Sequence, residues 1–253
     1  MDLRPQVVRP WLNSPDRRED PSEFARRCEA VGRTYIAAPE LAAQGVHVIS
    51  TDEKTGIQAL ERDAPALPMR PGSPEKQEFN YDRHGTLCLT ANLDVATGQI
   101  VCPTIGPTRT EEDFVRHIAR TVASDPQGRW VFICDQLNTH QSELLVWLVS
   151  LLCGLVVDLG VKGTSGILAS RQTRRQFLED PGHRIRFLYT PRHASWMNQI
   201  EIWFGILVRR ALKRASFRSP EELQQRLLAF IDYFNRTMAK PFRWTYTGRP
   251  LTV

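Results

Sequence analysis

The sequence predicts an α/β fold with a mixed sheet flanked by helices, and two patterns predict it. Apolar runs of strand length, VHVIST at 46–51, RWVFIC at 129–134 and RIRFLYT ending at 190, are separated by stretches of helical spacing. Between them, TLCLTANLDV at 86–95 and QIVCPTI at 99–105 flank Thr97-Gly98, the signature of a hairpin turn. A hairpin pairs its strands antiparallel, whereas strands joined through helices favour parallel crossovers, so one sheet carries both kinds of pairing.

Taken in order, residues 1–20 are rich in Pro, Arg and Asp and read as a linker. Residues 22–37 have helical spacing, with Phe24, Cys28 and Val31 on one face and Tyr35 extending it. The strand 46–51 runs straight into Asp52. Residues 60–80 hold four prolines and many charges and read as loop. After the hairpin, Thr110 opens a helix with Glu111, Glu112 and Asp113 in its first turn, where the helix dipole favours acids. The run 129–134 does not alternate, which predicts a central strand covered on both faces, and it ends in Asp135. A helix follows over about 141–153, within LLVWLVSLLCGLVV at 144–157; that run is shorter than a membrane span and reads as a buried helix. Residues 154–184 are Gly-rich and then basic. A long helix is predicted over 195–214 with Ser195 as its N-cap, and a last helix starts at Pro220 with an apolar stripe.

Composition narrows the class. The 253 residues are 42% hydrophobic and 24% charged, enough apolar content for one sizeable core and too little charge for wholesale disorder. The net charge of +5 suits a polyanionic partner without defining one. The five cysteines are dispersed, with no Cys-x-x-Cys pair, and read as reduced core thiols of a cytosolic protein; the six histidines form no zinc-type cluster. The N-terminal stretch is too polar for a secretory signal peptide, and no membrane association is expected.

Three acids stand in unusual places. Asp52 and Asp135 each follow an apolar strand, and the carboxyl edge of an open α/β sheet is where ligands bind. Two carboxylates side by side repel, and a divalent cation relieves the repulsion. An aspartate after a strand also caps a turn, so the strands alone leave both readings open. Glu201 tips the balance: helical spacing sets it on one face with Met197, Phe204 and Val208, and glutamate rarely faces a core unless paired or bound to a metal. An ion pair with Arg192 or Arg209 would satisfy that face equally. Asn198, one turn earlier, is placed to hydrogen-bond the same site. Hard oxygen ligands suit Mg2+ or Mn2+, and such ions promote in-line phosphoryl displacement.

STDEKTGIQALER (50–62), CDQLNTHQSE (134–143) and PRHASWMNQIEIWF (191–204) resemble the three signature blocks of bacterial insertion-sequence transposases in the Tc/mariner superfamily. The likeness runs from about residue 40 onward. It implies a ribonuclease H-like fold and a DDE site, with Asp52, Asp135 and Glu201 as catalytic and metal-binding acids for two Mg2+ or Mn2+ ions. It implies DNA cleavage at transposon ends, then attack of the freed 3′-hydroxyl on target DNA, by a cytoplasmic protein that meets the nucleoid when bound. A homodimer that pairs the DNA ends is the assembly it implies. Glu53, Asn198 and His140 are expected around the acids, with His140 orienting phosphate. Glu53 reads equally as a solvent-facing loop acid, and His140 as a local helix-start residue. Arg192, His193, Arg209 and Lys213 are expected on DNA; an ordinary solvated helix face explains Arg209 and Lys213 as well. A ribonuclease H-like nuclease, or a remnant that binds DNA or a partner transposase without cutting, are the competing functions.

The chain departs from the family pattern in three ways. Gln136 stands where many relatives carry Asn after the second acid. The segment 154–184 lengthens the interval to the third acid and reads as a subgroup insertion; its Arg171, Arg174 and Arg175 are either DNA-backbone contacts or a solvated face. Residues 1–40 read as a linker and helix left from a missing helix-turn-helix region, which a separately encoded part would supply. Residues 41–238 are then the catalytic domain and 239–253 a C-terminal tail.

Overall fold

The structure, a computed structural model, describes residues 14–76 and 78–246. Residues 1–13, part of the segment read as left from a helix-turn-helix region, and the last seven residues of the C-terminal tail lie outside the described residues. Within residues 14–20, the single turn α1 (Asp16–Glu19) leads through Asp20, which caps the next helix, into α2 (Pro21–Ala43). On α2, Phe24, Cys28, Val31 and Tyr35 are buried, the face that the spacing predicts.

The sheet has five strands in the order β3-β2-β1-β4-β5. β1 (Val46–Arg62) pairs antiparallel with β2 (Tyr81–Asp94), and β2 with β3 (Ile100–Gly106). β4 (Arg129–Cys134) lies parallel between β1 and β5 (Ile185–Tyr189). The predicted mixed sheet is therefore present. The hairpin turns at Gly98, whose φ of 74° suits glycine; a Cβ there would meet the Lys240 carbonyl oxygen at 2.1 Å.

Helices cover both faces. On one, α6 (Ile200–Leu207) and α7 (Pro220–Thr237) bury Trp203, Phe204, Leu227 and Phe234 against Leu87, Leu89, Ala91 and Leu93. α2 extends that layer over Val48 and Ile133. On the other, α3 (Glu111–Val122), α4 (Glu143–Leu152) and α5 (Arg171–Leu178) cover Ile49, Phe132, Cys134 and Phe187. Side chains alternate across a strand, so Val48 and Ile49 enter opposite layers. β4 is covered on both sides, which is why its sequence does not alternate. Thr110 caps α3 with a complete capping box, as its acidic first turn predicts. Leu159, Leu168 and Leu178 from 154–184 are buried in the same core as α3 and α4.

Three expectations are corrected. β1 does not stop at residue 51; it runs on to Arg62 because β2 continues to pair with it after β4 has ended. α4 is not a buried helix: Leu145, Val146 and Val149 face the core, whereas Leu144, Trp147 and Leu151 are exposed. An unbroken apolar run still presents one face per turn to the core. The long helix 195–214 is interrupted. A 3-10 turn, Ser195–Met197, ends at Asn198 (ψ 109°), α6 follows, and a π-helical turn, Val208–Leu212, closes it; Ser195 makes no capping hydrogen bond. No helix among the described residues is long and apolar enough to cross a membrane.

Phe132 lies fully buried in the central strand. Phe132→Ala is expected to cost about 3–5 kcal/mol of unfolding free energy, from lost burial and the cavity left behind, measured by urea denaturation.

Candidate active site

The parallel register of β1 and β4 ends at the pair Ser50–Ile133. Asp52 and Asp135 each stand two residues beyond it, where the two strands part. Asp52 is therefore inside β1 and yet at the carboxyl end of the parallel ladder. Its side chain is buried, with Oδ1 accepting from the Glu53 N–H (2.8 Å) and Oδ2 from Asn198 Nδ2 (3.2 Å). Burial, and then the neighbouring charge of Asp135, push Asp52 up to about 7 from an ordinary 3.8, against the pull of His140.

Asp135 is more open and better compensated. Its Oδ1 accepts from the Leu137 N–H (2.9 Å) and lies 2.8 Å from His140 Nδ1. Burial acts to raise it, yet the hydrogen bond and charge of His140, the Leu137 N–H and Arg171 together hold it below the usual carboxylate range. His140 is fully buried, and its Nε2 lies 3.0 Å from Glu53 Oε2. Burial would discharge the imidazole; hydrogen bonds to Asp135, Cys134 and Glu53 outweigh it and keep His140 protonated well above its usual range. Glu53 points to the face opposite Asp52, with its side chain only 4% exposed. It is therefore not a solvent-facing loop acid, and His140, with both nitrogens taken by carboxylates, is not presented to a phosphate.

Asn198 is the hub on the Asp52 side. Its Nδ2 also donates to the Thr51 carbonyl (3.0 Å), its Oδ1 accepts from Ser50 Oγ, and Ser50 Oγ in turn accepts from the Ile200 N–H (2.9 Å). Tyr35 of α2 donates to the Met197 carbonyl (3.0 Å) and accepts from the Gln199 N–H (3.3 Å). The break in the helix thus lets one turn of backbone bond across to β1.

The same break corrects the placement of Glu201. With the ladder interrupted at Asn198, Met197 and Glu201 are no longer one helical turn apart. The buried face of α6 is Ile200, Trp203, Phe204 and Leu207, and Glu201 is exposed beside it. It makes no ion pair among the described residues, and its backbone N–H bonds the Asn198 carbonyl (3.1 Å). The potential ligand atoms that lie within 4.8 Å of one another belong to Asp52, Glu53 and His140, a group that includes neither Asp135 nor Glu201.

The basic residues divide. Arg192 is spent on acids of α1, with Nε on Asp16 Oδ1 and Nη2 on Glu19 Oε2 (both 2.5 Å). Exposed His193 (φ 54°) lines a cavity of about 410 Å³ with Asp135, Gln136, Arg171 and Arg192. Arg209 and Lys213 are exposed in and just after the π-helical turn that follows α6, Lys213 lining a separate cavity with Lys54 and Arg62. Arg171 is exposed and Arg174 half-buried, and both bond the loop after Asp135. Sequence reading missed Ser50 and Tyr35, whose roles come from contacts across the fold.

A pair of carboxylates, Asp52 buried and Asp135 partly open, at the end of a parallel ladder defines the class, an α/β protein with a candidate site for a hard cation. Residues 47–224 match the family described as DDE superfamily endonuclease, and the chain belongs to that family. Among solved structures it is similar to the Mos1 mariner paired-end complex with Mn, with a TM-score of 0.54 at 14% identity over 92% of this chain and 60% of that one. The Mos1 transposase paired-end complex with left transposon end matches with a TM-score of 0.54 at 13% identity, over 94% of this chain and 61% of that one. The Mos1 strand transfer complex matches with a TM-score of 0.52 at 13% identity, over 94% and 60%. At these identities the likeness is one of fold, the ribonuclease H-like fold expected; the chain spans about 60% of the length of the matched chains. No curated protein matches it.

The raised Asp52 carries a pH signature. Its folded form holds a proton that the unfolded chain releases near 3.8, so its contribution is fully present below that value and is lost as pH rises through about 7. In chelator, Asp52→Asn is expected to raise Tm most above neutral pH, by a margin that shrinks as pH falls from about 7 and disappears below 3.8; thermal melts across that range check it.

Proposed function

We propose that this chain is the catalytic domain of a DNA transposase, cutting DNA at transposon ends and joining the freed 3′-hydroxyl to a target. The observation that carries the reading is the Asp52–Asp135 pair at the parting of β1 and β4, in a chain of the DDE superfamily endonuclease family. The Mos1 mariner paired-end complex with Mn has a similar fold over this chain.

The donor set fits a divalent cation. Asp52 keeps lone pairs free on both oxygens and Asp135 keeps Oδ2 free; burial and then the charge of Asp135 raise Asp52, and a cation held there would offset both. Bound there, two Mg2+ or Mn2+ ions would activate the attacking water or 3′-hydroxyl and offset charge on the leaving oxygen. Asn198 holds Asp52 in one rotamer. His140 holds Asp135 and balances its charge and that of Glu53, so the buried acids do not repel one another without limit. Glu201, exposed and unpaired on the first turn of α6, is the third acid in this reading, free to turn toward a bound ion. His193 and the surface basic residues Arg209 and Lys213 contact DNA backbone; Arg192 joins them when released from Asp16 and Glu19. Phosphate contacts of this kind carry affinity without reading sequence.

The test uses duplexes bearing the repeats that flank the coding sequence, with Mg2+ or Mn2+. Asp52→Asn, Asp135→Asn and Glu201→Gln are each expected to lower cleavage and strand transfer by about a thousandfold or more, as loss of a group acting in the transition state does, with melting curves still cooperative. Full activity in any one variant removes that acid from the site, and cutting of RNA–DNA hybrids without strand transfer would make the chain a nuclease instead.

A further inference from the structure

The segment between Asp135 and α4 has no regular ladder of its own apart from the 3-10 turn Thr139–Gln141, yet it must hold Asp135 and His140 in fixed relation. Several of its hydrogen bonds come from α5, in the stretch that lengthens the interval to the third acid. Arg171 donates through Nε to Gln141 Oε1 (3.0 Å), through Nη1 to Asn138 Oδ1 (2.9 Å) and through Nη2 to the Gln136 carbonyl (2.9 Å). Arg174 adds Nε to the Gln141 carbonyl (2.8 Å). One planar guanidinium thus ties three points spread along the loop, and such a fork fixes direction as well as distance.

α5 is itself a firm base. Ser170 and Thr173 close a capping box at its start, and Leu178 at its end is fully buried in the core beneath α3 and α4. The opposite edge of the loop is fixed by Gln136 Nε2 on the Thr190 carbonyl (2.9 Å) and by Tyr189 Oη on the His140 carbonyl (2.6 Å). Without the arginines, the Gln136 carbonyl and the Asn138 and Gln141 side chains lose their partners, and residues 137 and 138 keep only local turn bonds, Asp135 to the Leu137 N–H and the His140 and Gln141 N–H groups to the Leu137 and Asn138 carbonyls. A loop released from such ties regains backbone entropy, about 1–2 kcal/mol for each residue freed.

We infer that Arg171, supported by Arg174, is a positioning residue that clamps the loop carrying Asp135 and His140, and that the 154–184 segment serves this purpose. The inference rests on the reading of Asp135 as a cation ligand. Arg171 does not touch the reacting atoms; three of its donors are committed to the loop, which separates this role from phosphate binding.

The test compares Arg171→Ala and Arg171→Lys with the full chain by amide exchange of peptides spanning 136–141, by Mn2+ binding in the absence of DNA, and by cleavage at saturating DNA. Arg171→Ala is expected to speed exchange across 136–141, to weaken Mn2+ binding and to slow cleavage roughly tenfold each, the scale on which small misplacements act, with DNA affinity changed less than about twofold. Lysine keeps the charge and loses the fork, so Arg171→Lys is expected to resemble alanine. Unchanged exchange and Mn2+ affinity in Arg171→Ala would overturn the inference, as would full rescue by lysine or a loss confined to DNA affinity. Should Arg171→Ala fail to fold, Asn138→Ala removes one acceptor from the loop side and is expected to show the same pattern at smaller size; wild-type behaviour there overturns it. Exchange and Mn2+ binding decide the matter even if the wild-type chain cuts no DNA, an outcome that would count against the transposase reading alone.

Discussion

The parallel register of β1 and β4 is the constraint on which the site depends. It sets Asp52 and Asp135 side by side where the strands separate, and the sheet cannot shift by one residue without sending Asp52 to the opposite face. Burial and then the charge of Asp135 raise Asp52, and the site is held by two devices of different chemistry. On the Asp52 side the device is neutral: Asn198, Ser50 and Tyr35 exchange hydrogen bonds between α2, β1 and the turn before α6. On the Asp135 side it is charged, a buried imidazolium between Asp135 and Glu53. An asymmetric pair follows, one acid raised to about 7 and the other held below the usual carboxylate range.

Much of the fold was legible because burial writes itself into the sequence. The unalternating RWVFIC marked a strand covered on both faces, and Thr110 with its acids marked a helix start. The end of β1 was not legible: Asp52 looks terminal because the parallel partner stops there, whereas the chain continues in register with β2. That distinction belongs to the neighbour and leaves no trace in residues 46–62. Trp147 and Leu151 on α4 were misread for the reverse reason, since an apolar sequence does not say which of its faces finds a partner.

The site was legible in part. Asp52 and Asp135 were found by position, and Asn198 by its spacing from Glu201. Glu201 itself was placed on a buried face by extending a helical wheel through Asn198, where the helix is in fact broken. The link from Glu53 to His140 spans 87 residues and the Arg171 clamp more than 30, and neither has a local signal. Such contacts follow from topology: the strand parity that turns Asp52 toward Asn198 turns Glu53 toward His140, and α5 meets the loop only once the sheet has formed.

The central claim is that the Asp52–Asp135 pair, and not the nearby Asp52–Glu53–His140 group, is where a divalent cation binds. Anomalous diffraction from crystals soaked in Mn2+ tests it most directly. The account predicts a peak bridging carboxylate oxygens of Asp52 and Asp135 at roughly the 2.0–2.1 Å of a small hard cation, with His140 still bonded to Asp135 and Glu53. Manganese held by a nitrogen of His140 together with Glu53, leaving Asp135 unligated, would contradict it.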